Sequence, residues 1–270
     1  MILPVIGTFG DLVIRRFLAV SFVVACAATM AAQRGRGGAP VPSGPRYGTL
    51  EHVTVSGRAV DIYLPPSYAS DAMRRFPVVY LLAERPADNL KLPEAADRLS
   101  SAQGFSEPIV VLPDASGTRA DLEKFAGEDL VAYVDGRYRT LAVRISRGLA
   151  GASLGGDAAL QLAMKRPAVF SSLYLLSASL VDATVAAVDD GAANLRRYYM
   201  IALTTGGADA ALPMTRRLHD AMRRLQIAHY YEEFDGAYAD KVSDRIATRV
   251  LPFFSRNLTA PANPTSPAVN

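Results

Sequence analysis

The chain has 270 residues, half of them hydrophobic and a fifth charged, which suits one larger α/β domain with ample chain for a buried core. The net charge of +3 and the pI near 9.0 come from scattered basic residues, mostly Arg pairs such as Arg74-Arg75, Arg196-Arg197 and Arg216-Arg217. With no long basic run they read as solvated helix faces, and no nucleic-acid partner is expected. Cys26 is the single cysteine, which excludes internal disulfides, a CxxC redox site and a cysteine-based metal cluster.

At the N-terminus, Arg15-Arg16 precede the apolar run "FLAVSFVVACAATMAA", which is too short and too Ala-rich for a membrane span. A positive region, an apolar stretch and small residues at its end read as a secretory signal over residues 1–32, cleaved near Ala31 or Ala32. The competing outcome takes "VVAC" as a lipoprotein box with Cys26 lipidated. The mature protein is therefore expected to be exported, periplasmic or secreted, or in the alternative lipid-anchored to the envelope. It is expected to have no stable membrane span unless lipidated at Cys26. Residues 33–47 are Gly/Pro/Arg-rich and read as a flexible linker, 48–258 as the folded domain and 259–270 as a disordered tail.

Within the domain, "EHVTVSG" and "AVDIYLPPSY" predict a hairpin ended by Pro65-Pro66, which cannot continue a ladder. "FPVVYLLA" (76–83) and "PIVVLPDA" (108–115) are near-continuously apolar, as strands buried on both faces are. "GEDLVAYVDGRYR" (127–139) has helical spacing behind acidic residues that suit a helix N-terminus. Then follow a strand at "SRGLAG" (146–151), a helix at "GDAALQLAMKRP" stopped by Pro167, and strands at "SSLYLLSAS" (171–179) and "YYMIALTTG" (198–206). A helix at "PMTRRLHDAMRRLQI", a last strand at "HYYEEFDG" (229–236) with a loop behind it, and a closing helix at "DRIATRVLPFFSRNL" complete the domain. Such alternation predicts an α/β class with a mostly parallel central sheet covered by helices on both faces. Residues 180–197 are too few for a large lid.

Gly151-Ala152-Ser153-Leu154-Gly155 is a G-x-S-x-G between a predicted buried strand and an Ala-rich helix, the setting of a nucleophile elbow. There the glycines permit a turn too tight for side chains, Ser153 is lifted clear of the sheet, and the Leu154 N–H sits where a tetrahedral oxyanion would form. The bland alternative is a Gly-rich strand-to-helix turn with an incidental serine. In this architecture the acid follows the serine in the chain, and Asp209, just past "YYMIALTT", lies at a strand's C-terminal end where catalytic groups gather. A cap or turn residue ahead of the next helix is the competing reading of Asp209.

"YLPPSY", "FPVVYLL", "EDLVAYVDGRYRT", "GLAGASLGGDAALQLA", "TGGAD" after a strand and "VLPFFSRNL" together resemble the esterase branch of the α/β hydrolases. That branch includes esterase D, feruloyl esterases and mycolyltransferases, and the resemblance runs over residues 50–257. It implies an α/β-hydrolase fold with a small lid or none, Ser153 as nucleophile, Asp209 as triad acid, and the base at residue 238. It implies a small-molecule ester or carbohydrate-ester ligand, and a carboxylic-ester hydrolase activity.

Two positions depart from the family pattern. Residue 238 is Tyr, and a phenol titrating near 10 is far from the near-neutral value that suits a base. His52, His219 and His229 are the only histidines, on the first strand, on a helix face expected to be solvated, and at the far end of the last strand. After the strand "VVYLL" the family places His-Gly for the oxyanion hole; here Ala83-Glu84 stands, with Ala83 the nominal second donor and Glu84 a carboxylate expected to oppose the oxyanion. Weak ester hydrolysis follows, or in the alternative a non-catalytic binding or scaffolding module of the envelope. No metal or cofactor is expected: the histidines lack ligand spacing, and the glycines around Ser153 lack the lysine of a phosphate-binding loop.

Overall fold

The structure, a computed structural model, describes residues 47–258 except 85, 88 and 116–118. The expected signal segment, most of the linker and the tail lie outside the described residues. Strand β1 (Thr49–Val55) and β2 (Arg58–Leu64) form the predicted hairpin. Its two-residue turn has positive φ at both centres, 47° at Ser56 and 80° at Gly57, which matches the twist of the flanking strands. Short helix α1 (Pro66–Ser70) follows with Pro66 in its first turn, where the missing N–H costs nothing.

The parallel part begins with β3 (Val78–Leu82), helix α2 (Leu92–Ser100) and β4 (Ile109–Pro113). Helices α3 (Arg119–Lys124) and α4 (Leu130–Arg137) are joined by a π turn over Phe125–Asp129, so helix starts earlier than residue 127. Strand β5 (Arg147–Ala152) leads into α5 (Leu154–Lys165), which ends ahead of Pro167, and then β6 (Ser172–Leu176). Two short helices, α6 (Asp182–Ala186) and α7 (Val188–Leu195), fill the stretch judged too short for a lid. Strand β7 (Met200–Gly206), helix α8 (Leu212–Arg224) and β8 (Tyr230–Phe234) complete the sheet. Beyond it, α9 (Tyr238–Arg245), a π turn over Ile246–Val250 and α10 (Leu251–Asn257) run on from one another.

The eight strands lie in the order β1-β2-β4-β3-β5-β6-β7-β8; β2 pairs antiparallel with both neighbours and all other pairs are parallel. The chain leaves β3 for β4 on one side and takes up β5 on the other. The strand order therefore reverses around β3 and opens a crevice outside its C-terminal end, where open α/β sheets bind ligands. Val78, Tyr80 and Leu82 face one core cluster while Val79, Leu81 and Ala83 face the other. Burial of both faces is why the central strands read as unbroken apolar runs. Among the described residues, no helix is long and apolar enough to cross a membrane.

The closing helix starts at Tyr238, six residues ahead of Asp244, where the sequence places it. Ala237 is extended and offers no side-chain cap, and the Tyr238 N–H is taken instead by Asp209 Oδ1 at 2.7 Å. A cap supplied from 29 residues away leaves no local signal. Downstream, Phe254 is fully buried on the same face, edge-on to Phe253. Phe254→Ala is expected to lower stability by about 3–5 kcal/mol with an unchanged urea m-value; equilibrium urea unfolding reads both.

His219 lies half-buried on α8, where a solvated position is expected from sequence. It stacks on Tyr231 at 4.0 Å and bonds His229 (Nδ1···Nε2, 2.8 Å), whose own Nδ1 faces the Ile227 carbonyl at 2.8 Å. A carbonyl only accepts, so His229 donates from Nδ1; when both rings are neutral its Nε2 then accepts from His219 Nδ1–H. Burial, followed by the neighbouring His229, pulls the His219 pKa below its ordinary value, against Asp220 and Glu233. The unfolded chain therefore takes up the proton at a higher pH than the folded one. The associated stability is complete above about pH 6.5 and is lost as pH falls through the lowered folded value. Melting temperatures from about pH 7.5 down to about 5 should fall less steeply in His219→Gln than in the parent.

Candidate active site

Ser153 sits between β5 and α5 with φ 49° and ψ −124°. For a non-glycine residue that conformation costs about 1–3 kcal/mol and persists only where the surroundings over-determine it. Here they do. The Ser153 N–H donates to the Leu176 carbonyl (3.2 Å), and its own carbonyl accepts from the N–H groups of Gly156 (3.0 Å) and Ser179 (2.8 Å). Packing removes the alternatives: a Cβ at Gly155 would stand 2.1 Å from the Leu82 carbonyl oxygen, and one at Gly151 would stand 2.6 Å from Ala159 Cβ. Both glycines of the motif are therefore required by space. The serine is half-buried, and Leu154 beside it is exposed. As the first residue of α5, Leu154 has a backbone N–H with no partner in the helix ladder, so it is free for an acceptor at Ser153.

Across the crevice, Ala83 closes β3 with an isolated parallel bridge to Asp114. The next residue, Glu84, is exposed, and its Oε1 accepts the Ser153 hydroxyl at 3.1 Å. The sequence expectation set this carboxylate against a developing oxyanion; the structure places it on the Ser153 hydroxyl itself. Its loop is anchored from β2, where Asp61 accepts the Ala87 N–H at 3.0 Å through Oδ2 and pairs with His52 at 2.7 Å through Oδ1. A cavity of about 240 Å³ opens beside it, lined by Asp61, Ala83, Glu84, Pro86 and Asp114 among others.

Asp209 lies in the turn after β7, at the same edge of the sheet. Its Oδ2 accepts the Ser177 hydroxyl (2.6 Å) and the Gly206 N–H (2.8 Å), and its Oδ1 accepts the Tyr238 N–H. The carboxylate does not cap α8, whose N-cap is Ala211 without a side-chain cap bond. Ser177 joins the two halves of the site: the residue before it, Leu176, takes the Ser153 N–H, while Ser177 itself donates to Asp209. Sequence reasoning missed Ser177 because nothing local marks it beyond its place at a strand end.

Residue 238 contributes its backbone to this edge. The Tyr238 side chain is 7% exposed and packs in the second core cluster with Val242 and Ile246. The three histidines stay where the fold uses them, His52 against Asp61 and His219 against His229, and the partner of the Ser153 hydroxyl is Glu84. Ser153, Leu154, Ala83 and Glu84 therefore meet at the ends of β3 and β5, with Asp209 and the Tyr238 backbone at the ends of β7 and β8. Among the described residues, no group of three or more His, Cys, Asp or Glu side chains could hold a metal ion.

Solved structures of ester hydrolases share this fold. A ferulic acid esterase superposes with a TM-score of 0.68 at 22% identity, covering 77% of this chain and 97% of that one. A ferulic acid esterase from Anaeromyces mucronatus, solved with ferulic acid, gives 0.63 at 18% identity over 81% and 93%. An S-formylglutathione hydrolase from Staphylococcus aureus gives 0.60 at 14% identity over 78% and 98%. At these identities the likeness carries the α/β-hydrolase fold. The family profile described as "Esterase: Putative esterase" matches residues 53–241, more than half of the chain. With the strained serine, the eight-stranded sheet and this match together, the chain belongs to the esterase family of the α/β-hydrolase fold.

Proposed function

We propose that the protein is a serine-dependent carboxylic-ester hydrolase working without a triad histidine. The observation that carries this reading is the backbone of Ser153. A left-handed serine held by three backbone hydrogen bonds, with both flanking glycines required by space, is costly to keep and presents a hydroxyl beside a helix N–H. In this reading Ser153 attacks the ester carbonyl, Leu154 N–H receives the oxyanion, and an acyl-enzyme forms. The backbone near Ala83 is the remaining candidate for a second oxyanion donor. Asp209 serves to brace the edge of the site rather than to orient a base.

Turnover is slow in this reading. Triad enzymes lacking one member keep about 10³–10⁴-fold acceleration over water from the oxyanion hole and binding. The ferulic acid bound by the neighbour from Anaeromyces mucronatus supports a small-molecule ester, free or attached to carbohydrate, as the substrate class. The signal-like segment at residues 1–32 supports an exported protein, periplasmic or secreted, or lipid-anchored through Cys26.

A second reading, a non-catalytic binding or scaffolding module of the envelope, is favoured by one observation. The Asp209 carboxylate already accepts three hydrogen bonds, none from an imidazole.

Fluorophosphonate labelling of the full chain, with hydrolysis of p-nitrophenyl acetate, separates the two. Labelling approaching one per chain and turnover that both vanish in Ser153→Ala are expected. Turnover and labelling indistinguishable between the parent and Ser153→Ala would leave the binding reading.

A further inference from the structure

We propose that Glu84 is the proton acceptor for Ser153, a base supplied from the end of β3 in place of the histidine absent beyond β8. The inference rests on Ser153 being the nucleophile, and it begins from one contact. The Ser153 hydroxyl has a carboxylate oxygen at 3.1 Å, within the reach a general base requires. The groups at the opposite side of the site are committed elsewhere. Asp209 is filled by Ser177, Gly206 and the Tyr238 N–H, and the Tyr238 ring is in the core.

The chemistry balances with these residues alone. As Ser153 Oγ bonds to the ester carbonyl carbon, its O–H bond breaks and the proton passes to Glu84. The electron pair of the carbonyl goes to its oxygen, facing the Leu154 N–H. Collapse of this intermediate breaks the bond to the alcohol oxygen, which takes the proton back from the Glu84 carboxylic acid. A water molecule then attacks the acyl-Ser153, giving its proton to Glu84, and the second collapse returns that proton to Ser153 Oγ. Ester and water go in; acid and alcohol come out.

The step also removes the conflict raised by the sequence. A fixed carboxylate beside an oxyanion is repulsive, but a carboxylate that has just accepted the serine proton is neutral. The site carries one negative charge before the attack and one after it, displaced from Glu84 to the substrate oxygen. The hydroxyl of the acid form can then donate where the anion would have repelled. Asp61, by holding the Ala87 N–H, fixes the loop on which Glu84 stands. An ordinary carboxylate is a weaker base than an ordinary imidazole, so the enzyme should be slower than a histidine-assisted one.

The test compares full-length parent, Glu84→Gln, Glu84→Asp and Ser153→Ala in p-nitrophenyl acetate hydrolysis, in water and in D₂O, with fluorophosphonate labelling and thermal melting alongside. Glu84 is exposed, so melting should stay the same in its variants. Glu84→Gln is expected to slow hydrolysis and labelling by about 10²-fold and to abolish the slowing in D₂O shown by the parent, while Glu84→Asp keeps part of the rate. A Glu84→Gln rate equal to or above the parent's, with Ser153→Ala inactive, overturns Glu84 as the base and leaves Ser153 as the nucleophile. A parent no faster than Ser153→Ala overturns the nucleophile and this proposal with it.

Discussion

The contact between the first turn of α5 and the end of β3 is the constraint to which the rest of this edge conforms. The Leu82 carbonyl leaves no room for a Cβ at Gly155, and Ala159 leaves none at Gly151, so the backbone between them has one path. That path puts Ser153 in the left-handed region and turns its N–H toward Leu176. The partner strand responds in kind: Ser177, next after Leu176, also has positive φ (44°), and from there its hydroxyl reaches Asp209. Two strained serines on neighbouring strands thus share one hydrogen-bonded frame. The cost of each, about 1–3 kcal/mol, is met by the sheet and core around it.

This frame divides the work of acyl transfer unequally. In the proposed reaction, attack and oxyanion binding fall to consecutive residues, Ser153 and Leu154, and so depend only on the turn. The proposed proton transfer depends on a loop, and loops are where sequence change is tolerated. The esterase architecture normally recruits the loop after the last strand; here that segment has become the first turn of α9, with its leading N–H on Asp209. The Asp209 carboxylate accepts a hydroxyl and two backbone N–H groups, and removing it would strand three donors in a half-buried place.

Much of the fold was legible because the parallel strands are buried on both faces: Val78–Leu82 and Ile109–Pro113 read as strands with no help from context. The elbow was legible for a related reason, since only glycine fits at 151 and 155. What escaped sequence reading depends on long-range partners. The start of α9 is set by Asp209, 29 residues away, and the half-burial of His219 by His229 and Tyr231 on another element. Glu84 was visible as a residue that did not fit, but its sign could not be read. Whether that carboxylate meets the hydroxyl or the oxyanion depends on how the end of β3 lies against the elbow, 69 residues further along the chain.

The burial of Tyr238 bears on whether the change is reversible. Codon by codon, position 238 is one substitution from the residue that the family resemblance assigns to it, yet the Cα there heads a helix and the side chain enters the core beside Val242 and Ile246. An imidazole at 238 would be buried among aliphatic groups with Asp209 held by the backbone behind it. The backbone there is also committed, since the Tyr238 N–H that opens α9 is bonded to Asp209. At the β3 side, by contrast, a single exposed residue, Glu84, already touches the Ser153 hydroxyl.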